Sequence, residues 1–187
     1  MILLTGLGNP GGMYEDTRHN VGFLLIEAVR RHYGLPGWTG KFKGLVSKGK
    51  VEGVDVVLLQ PQTFMNLSGQ SVQPAAAFYK IEPRDILVVH DELDLELGQL
   101  RWKIGGGDAG HNGLKSITAM LGTADYQRLR FGIGRPVHKA QVHDYVLHAF
   151  GTEERELVDT RLAQIIEALP KILQNPQAEL AKLPILA

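Results

Sequence analysis

The sequence of 187 residues contains no cysteine. That absence excludes a disulfide scaffold, a thiol nucleophile and the thiolate-rich zinc sites together. No apolar run approaches the about 18 residues that a membrane-crossing helix needs, and the N-terminus lacks the basic stretch and apolar core of a secretory signal. The expectation is a soluble protein in a reducing cytoplasm. Charge of one sign is not in excess either, since 20 Lys and Arg balance 20 Asp and Glu, so net charge exerts no pull towards a polyanion. Repeats, linkers and low-complexity segments are missing as well, and the length suits one domain, residues 1–187, with a sizeable core.

What is present is unevenly distributed. Seven basic residues (Arg101, Lys103, Lys115, Arg128, Arg130, Arg135, Lys139) stand against Asp108 and Asp125 between Gly98 and Lys139, and four lysines with no acid lie between Thr39 and Lys50. Acids gather in IEPRDILVVHDELDLELG and TEERELVD. A neutral total therefore conceals a basic face and an acidic one, although scattered surface charge gives the same counts.

Strand and helix signals alternate along the chain. MILLT reads as a first strand, and VGFLLIEAVRRHYG carries Val21, Leu24, Leu25 and Ala28 at helical spacing before Gly34 and Pro36. GLVSKGKV and VDVVLLQP read as strands paired across the turn VEGVD. Ser68 is placed to cap a helix reaching about Lys80, with a kink or a late start demanded by Pro74. ILVVHD is a strand buried on both faces, and GQLRWKI is another. LKSITAML is a short helix and YQRLRFGIG a strand. A final helix begins at Thr152 with Glu153 and Glu154 favouring its dipole, buries Leu157, Val158, Leu162, Ile165, Ile166 and Leu169, and is expected to end or bend at Pro170. The fold class that follows is α/β: a single three-layer domain with a twisted mixed sheet, parallel at its centre and flanked by helices.

Gly6, Gly8 and Gly11 match G-x-G-x-x-G after the first strand, the pattern of a dinucleotide site. Its context is wrong. Pro10 interrupts the loop, helical periodicity begins only near Asn20, and no acid ends a strand about 20 residues on. The loop offers Asn9, Tyr14 and His19 instead, each of which also has an ordinary role in a turn, a core edge or a helix start. QTFMNLSG, HDEL and GGGDAGHNG each follow a strand. With a parallel centre, Asn9, Asn66 and Asp91 converge on one sheet edge beside His19. One histidine, one carboxylate and several carboxamides, without a G-x-S-x-G elbow, suit direct activation of water. A metal-dependent reading through His19, Asp91 and His111 has no compact ligand spacing behind it.

GLGNPGGMYEDTRHNVGF, QPQTFMNLSG, VVHDELDLELGQLRWKIGGGDAGHNGLKSI and RLRFGIGRP, in this order and from about Met1 to Leu173, resemble the bacterial peptidyl-tRNA hydrolases. The resemblance implies a monomeric cytoplasmic enzyme with no metal or other cofactor. Its partner is peptidyl-tRNA, whose ester between peptide and 3′-terminal ribose it cleaves. By the same resemblance His19 is the catalytic base and Asp91 its carboxylate partner. Asn9, Asn66 and Asn112 are substrate-positioning amides, Tyr14 and Met65 line the cleft, and Arg101, Lys103 and Arg130 meet tRNA phosphates. His90 is expected to point away from the site because neighbours on a strand alternate. His111 is left as an orienting residue without firm assignment. Three positions depart from the family pattern: Phe64 replaces a frequent tyrosine, Asp108 puts a negative charge in the glycine loop, and the C-terminal NPQAELAKLPILA is apolar with a single lysine. A non-catalytic RNA-binding relative of the same fold is the alternative.

Overall fold

The computed structural model describes residues 1–186. Seven strands form one sheet: β1 (Ile2–Gly6), β2 (Thr39–Lys41), β3 (Gly44–Val51), β4 (Val54–Pro61), β5 (Ile86–Glu92), β6 (Leu100–Ile104) and β7 (Gln127–Gly132). Their order is β2-β3-β4-β1-β5-β7-β6. The central pairs β1 with β4, β1 with β5 and β5 with β7 are parallel, and antiparallel partners close both edges. The mixed sheet with a parallel centre is as the alternation of elements implies.

Helices α1 (Val21–His32), α4 (Val142–Val146), α5 (Thr152–Ile172) and α6 (Pro176–Ala181) make up one layer, and α2 (Gly69–Phe78) and α3 (Asn112–Leu121) cover the other face. Strand β5 is buried at every residue, as a continuous apolar run between two helical layers requires. The C-terminal segment packs on its own body, where Leu180 and Leu183 join the core that includes the buried stripe of α5.

The Ser68 cap is corrected, and for Pro74 and Pro170 a late start and a helix end are removed from the expected alternatives. Ser68 does not cap α2 with its side chain; a preceding 3₁₀ turn at Met65–Leu67 already holds Ser68 in helical geometry, and its hydroxyl donates back to the Met65 carbonyl. Pro74 neither delays nor ends α2, which begins at Gly69 and runs past it. Pro170 does not end α5, which continues to Ile172. The Ile166 carbonyl, deprived of the Pro170 amide, accepts the Tyr33 hydroxyl, so the missing helix bond is replaced by a tertiary one.

The glycines of the first loop serve close packing. A Cβ on Gly6 would collide with the Gly22 carbonyl, and one on Gly8 would lie 2.8 Å from the Phe23 ring. Helix α1 thus lies directly against the end of β1. Gly11, at φ 106°, makes the turn that follows.

Candidate active site

The parallel centre sends the ends of β1, β4 and β5 to one edge of the sheet. Strand β1 has β4 on one side and β5 on the other, the arrangement that opens a crevice at strand C-termini. Asn9 follows β1, Asn66 follows β4, and Asp91 is the penultimate residue of β5. His19 comes from a 3₁₀ turn, Arg18–Asn20, immediately ahead of α1.

That turn is held from both sides. The Arg18 guanidinium donates to the Tyr145 carbonyl at 3.1 Å and to Glu154 at 3.0 Å, while the Arg18 amide donates to the His148 carbonyl. Asn20, 1% exposed, accepts the Asn9 amide at 2.8 Å and donates to the Asn9 carbonyl at 2.9 Å. Asn20 escapes a reading of the sequence, because a carboxamide bracing one backbone position looks like any helix-start asparagine.

At the centre, His19 Nδ1 lies 2.7 Å from Asp91 Oδ2, and His111 Nε2 lies 2.8 Å from Asp91 Oδ1. Asp91 is 3% exposed, and both its oxygens are taken by imidazoles. Burial works to raise its pKa, but the two histidines hold it well below the ordinary carboxylate range. For His19, burial works to lower the pKa; the charge and hydrogen bond of Asp91 outweigh it and hold the imidazole above 6.5.

Hydrogen bonds at His111 define its tautomer. His111 caps α3, and its Nδ1 accepts the amides of Gly113 and Leu114 at 3.1 and 3.3 Å. An accepting Nδ1 carries no proton, so Nε2 carries it and donates to Asp91. The sequence leaves this residue unassigned; H-N-G-L at a helix start carries the signal of a cap, yet not of the carboxylate it reaches. The arrangement also bears on metal binding. His19, Asp91 and His111 bring one ligand atom each within 4.8 Å of one another. Metallation at His111 Nε2 would require the ring to lose its one remaining proton, or Nδ1 to take that proton and break the α3 cap, so this donor set favours hydrogen bonds.

Behind His111, the ring of His90 meets it edge-on at 5.0 Å between centroids. His90 is 1% exposed and its Nδ1–H donates to the Asp91 carbonyl. Burial first, then the neighbouring His111, lowers its pKa to about 3. Strand alternation thus keeps the His90 ring away from the Asp91 carboxylate, while the α3 cap residue touches both.

The amides divide by exposure. Asn9 is buried and its Oδ1 accepts the Met65 amide at 2.7 Å. Asn66 and Asn112 are exposed. Met65 is 4% exposed and its sulfur lies against Gly113, where a Cβ would approach it to 2.7 Å. Tyr14 is half-buried in the β1–α1 loop and its carbonyl accepts the Thr17 amide and hydroxyl. Phe64 is 56% exposed at the start of the turn bearing Asn66.

The basic candidates form a group on the β6–β7 ladder, where Arg101 is registered opposite Arg130 and Lys103 opposite Arg128. Arg130 also pairs with the buried Glu92 at 2.8 Å. Lys103 has a lowered pKa, through burial first and then through Arg130 and Arg128. Asp108 is used within its own loop, its carboxylate accepting the Gly110 amide and its carbonyl the His111 amide. A cavity of about 480 Å³ between β6 and the C-terminal segment, lined by Trp102, Arg161 and Leu180, shares none of the crevice residues His19, Asp91 and His111. No helix of the described residues is long and apolar enough to cross a membrane.

Comparison with known proteins follows the same lines. The sequence pattern of the family described as "Peptidyl-tRNA hydrolase" matches residues 3–183. The peptidyl-tRNA hydrolase of Methylocella silvestris is 51% identical over 175 residues, 94% of this chain and 89% of that protein. That of Delftia acidovorans is 51% identical over 171 residues, 91% of this chain and 83% of that protein. The crystal structure of peptidyl-tRNA hydrolase from Acinetobacter baumannii superposes with a TM-score of 0.91 at 39% identity, covering 97% of this chain and 95% of that one. At 8% identity and a TM-score of 0.53, purine nucleoside phosphorylase from Toxoplasma gondii shares the fold alone, over 92% of this chain and 91% of that one.

Proposed function

The chain belongs to the peptidyl-tRNA hydrolase family, and from that premise we propose that His19 is the base of its reaction and that water is the nucleophile. The reaction is hydrolysis of peptidyl-tRNA. One observation carries the assignment: Asp91 holds His19 Nδ1 at 2.7 Å. With a proton on Nδ1, the lone pair of Nε2 faces away from the carboxylate and is free to take a proton from water.

In this reading the incoming hydroxide adds to the ester carbonyl, and the imidazolium is steadied by Asp91 until it returns the proton to the departing 3′ ribose oxygen. The carbonyl oxygen, now negative, needs donors that do not titrate. In this reading the exposed carboxamides of Asn66 and Asn112 supply them, and Asn9 braces the turn that carries Asn66 through its bond to the Met65 amide. One such donor is worth about 2.7–4 kcal/mol in the transition state. Tyr14 and Met65 shape the walls and floor around the peptide and the terminal nucleotide.

Arg101, Lys103 and Arg130 contact tRNA phosphates, their alignment on one ladder matching a backbone rather than a base sequence. This suits an enzyme that accepts many tRNAs. We read a cytoplasmic enzyme with residues 1–187 as one domain, acting as a monomer because one chain supplies His19, Asp91, His111 and the three asparagines Asn9, Asn66 and Asn112. Incubating wild type and His19→Ala with N-acylated aminoacyl-tRNA and measuring free tRNA tests the base. Wild type releases tRNA and the variant does not, while its tRNA binding persists. More than a few per cent of the rate in His19→Ala overturns the assignment.

A further inference from the structure

Two arginines in the segment QRLRFG face the same layer and differ in everything else. Arg130 pairs with Glu92 at the rim. Arg128 is fully buried, at 0% exposure, and has no carboxylate partner among the described residues. Burying a guanidinium without a counter-charge costs several kcal/mol unless backbone dipoles compensate. Here its Nη1 donates to the Gly107 carbonyl at 2.6 Å, and its Nη2 donates to those of Gly106 at 3.1 Å and Ala124 at 3.4 Å. The cation lies over the Tyr126 ring, 4.6 Å from its centroid.

What it grips is the segment from Gly105 to Gly110. Gly105, Gly106, Ala109 and Gly110 all have positive φ, from 50° to 91°, so no helix or strand ladder supports this stretch. Its remaining ties are few: the Gly105 amide to the Tyr126 carbonyl, and two bonds within the loop through Asp108. The loop then leads directly into His111 and Asn112. Tyr126 completes the hold, because its hydroxyl donates to the Leu114 carbonyl and bonds Thr118 on α3.

We propose that Arg128 is a positioning residue for hydrolysis: its buried guanidinium clamps the carbonyls of Gly106 and Gly107, so that the glycine loop delivers His111 to Asp91 and Asn112 to the crevice. It does not touch substrate, and tRNA cannot reach it. The proposal rests on the assignment of His19 as base, and the two fail separately, since activity surviving in His19→Ala removes the base without bearing on the loop.

The test compares wild type, Arg128→Lys and Arg128→Ala, each checked for folding by circular dichroism and thermal melting. Expected for Arg128→Lys, which keeps charge but loses the fork, is a kcat lower by about tenfold or more with KM for peptidyl-tRNA unchanged. In Arg128→Ala, guanidinium ion at concentrations well below denaturing restores part of the kcat. The downfield imidazole N–H resonances of His19 and His111 shift or broaden in both variants. A folded variant with wild-type kcat overturns the proposal, and so does a loss confined to KM, which marks an RNA contact. Should neither variant fold, the wild-type protein decides: slow exchange and hindered rotation of the Arg128 Nη–H groups are expected, and rapid exchange overturns the clamp.

Discussion

Replacing Asp91 with asparagine tests the site at its centre, and the consequence follows from hydrogen-bond polarity. The side chain keeps its shape but trades one acceptor oxygen for an NH₂ donor. His111 cannot adapt: its Nδ1 accepts two α3 amides, so its Nε2–H must donate. The oxygen of the introduced carboxamide therefore faces His111, and the NH₂ faces His19 Nδ1. His19 is driven into the tautomer with its proton on Nε2, the atom needed as base. The corresponding exchange in serine hydrolases costs about 10⁴-fold in kcat, or about 5.4 kcal/mol at about 1.36 kcal/mol per factor of ten. The assay is single-turnover release of tRNA from N-acylated aminoacyl-tRNA. A second substitution separates tautomer from charge. His111→Asn still caps α3, as asparagine is a good N-cap, but it frees the introduced carboxamide to turn. Asp91→Asn with His111→Asn is expected to exceed Asp91→Asn alone by about tenfold or more in rate. Retention of a tenth of wild-type kcat by Asp91→Asn refutes the carboxylate's role, and a double variant no faster than the single refutes the locked tautomer.

Other consequences are accessible to simpler measurements. Because Asp91 holds the His19 pKa above 6.5, kcat/KM should rise with pH to an inflection above 6.5; an inflection below it contradicts the pairing. Charge reversal at Arg101 and Lys103 together should weaken tRNA binding uniformly across sequences and reduce the slope of log K against log salt by about 1 per contact, whereas an unchanged slope places the RNA elsewhere. His90, lowered to about 3 by burial and His111, stays neutral in the fold while the unfolded chain protonates it below 6.5. Its contribution to stability is thus lost as pH falls from 6.5 towards 3, at up to about 1.4 kcal/mol per pH unit. In denaturant titrations the stability of wild type relative to His90→Phe should fall over that window as pH is lowered, and parallel curves mean that His90 titrates in the native state.

The degree to which the sequence announces this structure varies with the range of the interaction. Apolar runs and their punctuation locate β1, β3, β4, β5, β6, β7 and the cores of the long helices, because burial of a strand or a helix stripe is written in neighbouring residues. Short elements are not legible: β2, with three exposed residues, exists only because β3 offers an edge, and α4 and α6 are held by packing. Pro170 shows the same limit, since the Tyr33 hydroxyl that compensates for it lies 133 positions from Ile166 in the chain.

At the site, the sequence alone determined the inventory: no thiol, one histidine beside an amide-bearing loop, a carboxylate at a buried strand end, and motifs specific enough to name a family. Only the tertiary structure decided that Asp91 serves two imidazoles, that His111 is locked as a donor, that Asn20 braces Asn9, and that Arg128 is sealed inside while Arg130 reaches the rim. A hydrogen bond depends on distances of a few tenths of an ångström between atoms whose parent residues are far apart in the chain. Residue type states what a group can donate or accept, and the packing of two helical layers on one sheet decides to whom.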